Sequence, residues 1–122
     1  MISIEGLENP ERQRELDPNG SLKRAGICDN SIVCDIGAGT GAFTFPAAKI
    51  SKGPVYALDV LDEMLDFIES KKKKLGIDNI VTRKVTSERL PIDDGECDIA
   101  LMVTVLHDID DKETMMSEVR RL

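Results

Sequence analysis

Positive charge is in short supply in this 122-residue chain, with 16 Lys and Arg against 23 Asp and Glu and a net charge of −7. A surface that acidic repels phosphate backbones, which excludes nucleic acid as a natural partner. Long apolar runs are also missing. Nothing approaches the ~18 residues of a membrane span, and residues 1–10 lack the basic-then-apolar layout of a signal peptide. Cysteines number three, Cys28, Cys34 and Cys97, widely spaced and without a C-x-x-C pair. An odd, scattered set predicts neither a disulfide framework nor a metal site, and it points to a reducing cytoplasm. Aromatics amount to 3% with no Trp, against 41% apolar and 32% charged residues. That balance belongs to a soluble globular domain, not to a disordered or fibrous chain.

Size scaling predicts that roughly two-thirds of the unfolded surface is buried, enough for one core and no second catalytic domain. Residues 1–20 are polar and turn-rich, punctuated by Asn9-Pro10 and by Asp17-Pro18-Asn19-Gly20. They read as an amino-terminal arm with a short helix over 11–16. A helical turn follows over 21–25, stopped by Gly26. The run Ser31-Ile32-Val33-Cys34-Asp35-Ile36 looks like a buried parallel strand. A helix is expected over 42–51, kinked or shortened at Pro46, and a second strand over 55–59. Leu61, Met64, Leu65, Ile68 and Leu75 then mark an amphipathic helix, with Asp62 as its cap and Gly76 as its stop. Strands over 80–85 and 98–105 and a helix over 111–122 complete the order. The β-α-β-α-β-β-α succession and its crossover lengths predict a doubly wound, Rossmann-like α/β fold over 21–122, mainly parallel, with helices on both faces. The basic block over 71–74 falls in the last turn of its helix, where cations suit the dipole. Cys34 and Cys97 are expected as small buried hydrophobes.

The chemistry concentrates in Asp35-Ile36-Gly37-Ala38-Gly39-Thr40-Gly41. A glycine-rich turn between a first strand and its helix lets a ligand lie against bare backbone, since no Cβ blocks the approach. Asp35 stands at the carboxyl edge of the first strand. Asp59 ends the second, about 20 residues beyond Gly39, where a carboxylate can accept two ribose hydroxyls. Taken alone, these glycines suit two cofactors, because Gly37-x-Gly39-x-x-Ala42 also satisfies the dinucleotide fingerprint. Asp35 would repel a pyrophosphate but attract an ammonium or a sulfonium.

The loop with its preceding Asp35 resembles the first motif of class I S-adenosylmethionine-dependent methyltransferases. The stretch Leu90-Pro91-Ile92-Asp93-Asp94-Gly95-Glu96-Cys97-Asp98 resembles the "LPxxDGxxD" segment leading into their fourth strand. Val105-Leu106-His107-Asp108-Ile109 is similar to their "VLHHI" segment, and residues 115–122 to the helix after it. The likeness runs over about 16–122 and is strongest to the ubiquinone- and menaquinone-biosynthesis branch, whose members methylate diverse small molecules. It implies S-adenosylmethionine as cofactor, with Asp35, Gly37, Ala38 and Gly39 at its methionyl part and Asp59 at its ribose. Val60 would flank the adenine, Ser87 and Glu88 would border it from the other side, and Thr104 would approach the methionyl end. Thr86-Ser87 replaces an Asp-Ala pair frequent in the family, so adenine recognition departs from the pattern. Methyl transfer asks mainly for alignment of the acceptor with the methyl group and exclusion of water. His107, the sole histidine, is the candidate catalytic residue, as a base or polar wall of the acceptor site. Its plainer role is a helix-cap histidine.

In the family a fifth strand and a closing hairpin follow the point where this chain stops. The expected sheet therefore has four strands and leaves strand four as an apolar edge. Truncation is the expected reason, and a homodimer that completes the sheet or a fragment of a longer chain are the competing ones. The leading function is methyl transfer to a small-molecule acceptor. A non-catalytic cofactor-binding module and a nicotinamide-dependent oxidoreductase are the alternatives, and residues 1–20 are expected to lie over the pocket as a lid.

Overall fold

The computed structural model describes residue 10 and residues 17–24, 26–87, 89–102 and 112–121. Within them the order is α1 (Pro18–Arg24), β1 (Val33–Ile36), α2 (Thr44–Ile50), β2 (Val55–Asp59), α3 (Asp62–Leu75), β3 (Ile80–Lys84), β4 (Ile99–Leu101) and α4 (Lys112–Arg121). The strands form one sheet ordered β3-β2-β1-β4, and every pairing is parallel. Val33 at the start of β1 lies level with Val55 on one side and Ile99 on the other. Among the described residues β4 pairs with β1 alone.

Alternation along the two central strands decides what each face buries. Val33, Val55 and Ala57 turn toward α1, α2 and α3, packing with Leu22, Phe45, Ala47, Ala48 and Ile68. Cys34, Ile36, Tyr56 and Leu58 turn the other way, under Leu90 and Ile92, with Val119 of α4 and Cys97 against them. Both faces of β1 and β2 are therefore covered, as their unbroken buried pattern requires. Each fully buried Leu or Ile contributes about 1.5–3 kcal/mol over an exposed one. Asp35 shares a face with Val33, which sends its carboxyl beneath α2.

The elements depart from the sequence expectations at their ends, for local reasons. α1 begins at Pro18, inside the stretch read as a turn. Proline's fixed φ suits a first helical position, where no N–H is needed, and the Asp17 carbonyl accepts the Ser21 N–H at 2.9 Å. Gly26 stops this helix as expected, at φ 86°. α2 starts at Thr44 rather than Ala42, which places Pro46 in its first turn and removes the reason for a kink. Asp62 does not cap α3. Leu61 is the capping residue, without a side-chain bond, and Asp62 pairs instead with Lys84 at 3.0 Å. Gly76, at φ 67°, ends α3, and the Ile77 N–H reaches back to the Lys72 carbonyl. Leu75, in the expected apolar stripe, is 52% exposed at the last position of α3. The short helix expected over 11–16, and most of the 1–20 arm with it, lie outside the described residues, as does the part of the expected fourth strand from 103 to 105.

Candidate functional site

The carboxyl ends of β1 and β2 lie side by side, and the chain leaves β1 through a turn pinned to its neighbour. The N–H groups of Gly37 and Ala38 both donate to the Leu58 carbonyl, at 2.8 and 2.9 Å. Gly37, Gly39 and Gly41 adopt φ of 71°, 59° and 89°, in the left-handed region that side chains disfavour. At Gly41 a Cβ would also stand 2.6 Å from the Phe45 ring. The loop thus needs glycine for its path, and it leaves backbone partly exposed at Gly37 and Gly39.

Asp59 joins this turn to α3. One carboxyl oxygen accepts the Gly39 N–H at 2.9 Å, and the other accepts the Leu61 N–H at 3.0 Å. Beside it Val60 is 55% exposed, an apolar side chain left facing outward at the tip of β2. Asp35 lies behind the loop. It is 3% exposed, and its carboxyl accepts the Thr44 hydroxyl at 2.7 Å. Burial raises its pKa to about 7, with a further push from the Asp59 charge and partial relief from Thr44. The site therefore pairs one carboxyl wrapped in backbone N–H groups with a second held in the interior.

Asp35, Gly37, Ala38, Gly39, Asp59 and Val60, all proposed from sequence, come together at this sheet edge. Ser87 follows β3 in an exposed segment, its hydroxyl donating to the Arg89 carbonyl at 3.3 Å. Glu88, Thr104 and His107 lie outside the described residues. Two contributors escaped the sequence reading. Thr44 carried no signal beyond being a polar residue in a mostly apolar helix. Arg121 of α4 donates to the Leu90 and Ile92 carbonyls, at 2.9 and 2.6 Å, and to Asp94 at 2.8 Å. It also pairs with Glu118, and its own carbonyl accepts the Gly95 N–H. Together with Arg83, which donates to the Pro91 carbonyl at 2.8 Å, it holds the segment that returns from β3 toward β4. Among the described residues no group of three or more His, Cys, Asp and Glu could hold a metal ion, and no helix is long and apolar enough to cross a membrane.

A parallel β3-β2-β1-β4 sheet, with a glycine turn after β1 and an acidic residue ending β2, is shared by dinucleotide-binding and S-adenosylmethionine-binding domains, and likeness to known proteins makes this one a class I S-adenosylmethionine-dependent methyltransferase domain. The chain belongs to the methyltransferase domain family, which matches residues 34–122. It is similar to the crystal structure of a SAM-dependent methyltransferase from Aquifex aeolicus, with 31% identity and a TM-score of 0.89 over 97% of this chain and 64% of that one. It is 30% identical over 96 residues to an uncharacterized methyltransferase-like protein of Schizosaccharomyces pombe, covering 79% of this chain and 36% of that protein. A demethylmenaquinone methyltransferase of Tropheryma whipplei is 28% identical over 102 residues, covering 84% of this chain and 41% of that protein. The chain thus spans about two-fifths of the length of these curated relatives.

Proposed function

We propose that this chain binds S-adenosylmethionine across the carboxyl ends of β1 and β2 and presents its methyl group to a small-molecule acceptor in the cytoplasm. The observation that carries the reading is Asp59, fixed at the lip of the glycine turn by the N–H groups of Gly39 and Leu61. An oxygen of a carboxylate accepts more than one hydrogen bond, so each can also take a ribose hydroxyl. The residues suit the cofactor's other parts too. Bare backbone at Gly37 and Gly39 admits the methionyl chain, Asp35 gives its ammonium a counter-charge, and exposed Val60 offers an apolar face to adenine. When bound, the cofactor supplies a methyl group on an already activated sulfonium. The chain's own work is then to orient, to exclude water and to let the acceptor approach in line.

In this reading Ser87 and Glu88 border the adenine, Thr104 approaches the methionyl end, and His107 forms a base or polar wall at the acceptor. The arm over 1–20 lies across the pocket, and the outer edge of β4 is where a second copy would pair. Nucleic acid is not a substrate, for the charge reason given above. Calorimetric titration of the folded chain with S-adenosylhomocysteine and, separately, NADH tests the cofactor. Micromolar binding of the first alone supports the reading, and binding of NADH alone overturns it.

A further inference from the structure

We propose that Arg83 and Arg121 are positioning residues for base recognition, two guanidinium groups that hold the segment after β3 where it walls the adenine. The proposal rests on the cofactor reading above and adds to it the residues that make the pocket selective for the base. Arg83 belongs to β3 and Arg121 to α4, and both act on the wall from outside the pocket.

The segment is strung between two fixed points. At its start, Lys84 of β3 lies level with Asp59, and the Val85 N–H donates to the Asp59 carbonyl at 2.9 Å. The chain therefore leaves β3 beside the carboxylate assigned to the ribose. Its far point is a three-residue turn, Leu90-Pro91-Ile92, closed by the Ile92 N–H on the Leu90 carbonyl at 2.8 Å. Only residues 86–89 lie between, so their placement follows that of the turn.

An irregular segment has no ladder to satisfy its carbonyls, and on a surface such groups turn to water. Here three in succession go to arginine. Arg121 Nη2 donates to the Leu90 carbonyl at 2.9 Å, Arg83 Nη1 to that of Pro91 at 2.8 Å, and Arg121 Nη1 to that of Ile92 at 2.6 Å. Each guanidinium is itself braced. Arg83 lies over the Tyr56 ring, 4.6 Å from its centroid. The Tyr56 hydroxyl donates to Glu96 at 2.7 Å, and the other Glu96 oxygen accepts the Asp93 N–H at 3.0 Å. Arg121 is held between Asp94, at 2.8 Å, and Glu118. Burial of Leu90 and Ile92 already ties the turn to the sheet, but apolar contact is non-directional and lets a segment slide. Charge-assisted bonds from a rigid fork fix both direction and height. A wall that reads a base edge needs that precision, since a group displaced by about 1 Å no longer makes its hydrogen bond.

Calorimetric titration of the full chain compares S-adenosylhomocysteine with S-inosylhomocysteine, whose base carries an oxo group in place of the amine. The wild type should prefer the adenine ligand by at least about tenfold, as sites built to pair with an amine do. Arg83→Met keeps an apolar side chain over Tyr56 but loses the bond to Pro91. In it and in Arg121→Ala the preference should fall to about twofold or less. Arg121→Lys retains a charge facing Asp94 and Glu118 but lacks the fork, so it should lose the preference as well. Lys72→Ala is the control. It removes a side-chain bond to the Ile80 carbonyl at the amino end of β3, so stability should fall while the preference stays. Circular dichroism confirms folding, and should Arg121→Ala fail to fold, Arg83→Met and Arg121→Lys decide. A preference kept intact in the arginine variants overturns the proposal. So does one lost equally in Lys72→Ala, or one absent from a wild type that binds both ligands. A wild type that binds neither ligand removes the cofactor reading, and this proposal with it.

Discussion

Replacing Asp35 by Asn should flatten the dependence of stability on pH between 5 and 8. Burial raises the folded-state pKa of Asp35 from an ordinary 3.8 to about 7. Between those values the native state holds a proton that the unfolded chain has released, so stability falls as pH rises. Titrating a group of pKa about 7 from pH 5 to pH 8 costs roughly 2–3 kcal/mol, out of a full penalty of about 4 kcal/mol for ionising it in place. Asn keeps a carbonyl oxygen for the Thr44 hydroxyl and carries no charge, so the variant escapes this loss. Urea unfolding at half-unit pH steps reads the effect as a midpoint change of about 1–2 M across the window. The carboxyls of Glu69 and Glu96, held low by Thr82 and Tyr56, give the opposite slope but at lower pH. Parallel stability curves for wild type and Asp35→Asn would refute the reasoning, because a buried carboxyl that ionises freely cannot be paying that desolvation cost.

The same proton should be felt by ligand. A cation beside Asp35 favours its ionised form, so S-adenosylhomocysteine affinity should rise from pH 6 to pH 8 with a buffer-dependent binding enthalpy, and Asp35→Asn should remove both effects. Asp59→Ala should weaken that affinity by about 1–3 kcal/mol, the scale for lost charge-assisted hydrogen bonds, as measured by titration calorimetry. Gly39→Val places a branched side chain at φ 59°, so binding should be abolished in a chain that circular dichroism shows to be folded. Gly41→Ala sets a methyl group 2.6 Å from the Phe45 ring at φ 89°, and should destabilise by about 1–3 kcal/mol in thermal unfolding. Arg121→Ala frees the Leu90 and Ile92 carbonyls and should speed limited proteolysis within 86–98.

The features legible in the sequence are those written locally. A short apolar run ending at a glycine loop, an acidic residue closing the next strand and a heptad-like stripe each carry their own periodicity, and β1, β2 and α3 stand close to where these patterns put them. Element ends were harder to read. Whether Pro18 or Ser21 opens a helix, or whether Asp62 or Leu61 caps one, turns on a single backbone hydrogen bond with almost no signature in residue type. Side-chain partnerships between elements were not legible. Thr44 beneath Asp35 and Arg121 over the 90s segment each join residues on different elements, and only the packing of those elements makes them neighbours.

The bond from the Gly39 amide to Asp59 gives the glycine turn a shape before any ligand arrives. A turn of freely rotating glycines would have to surrender that freedom on binding. Here the carboxyl has already taken it, and the entropy of ordering is charged to folding rather than to recognition. Ligand hydroxyls would then join an acceptor already in position and displace no protein bond. Binding at this edge should accordingly be quick and lock-like, with the Gly39 amide slow to exchange its hydrogen whether the pocket is empty or full.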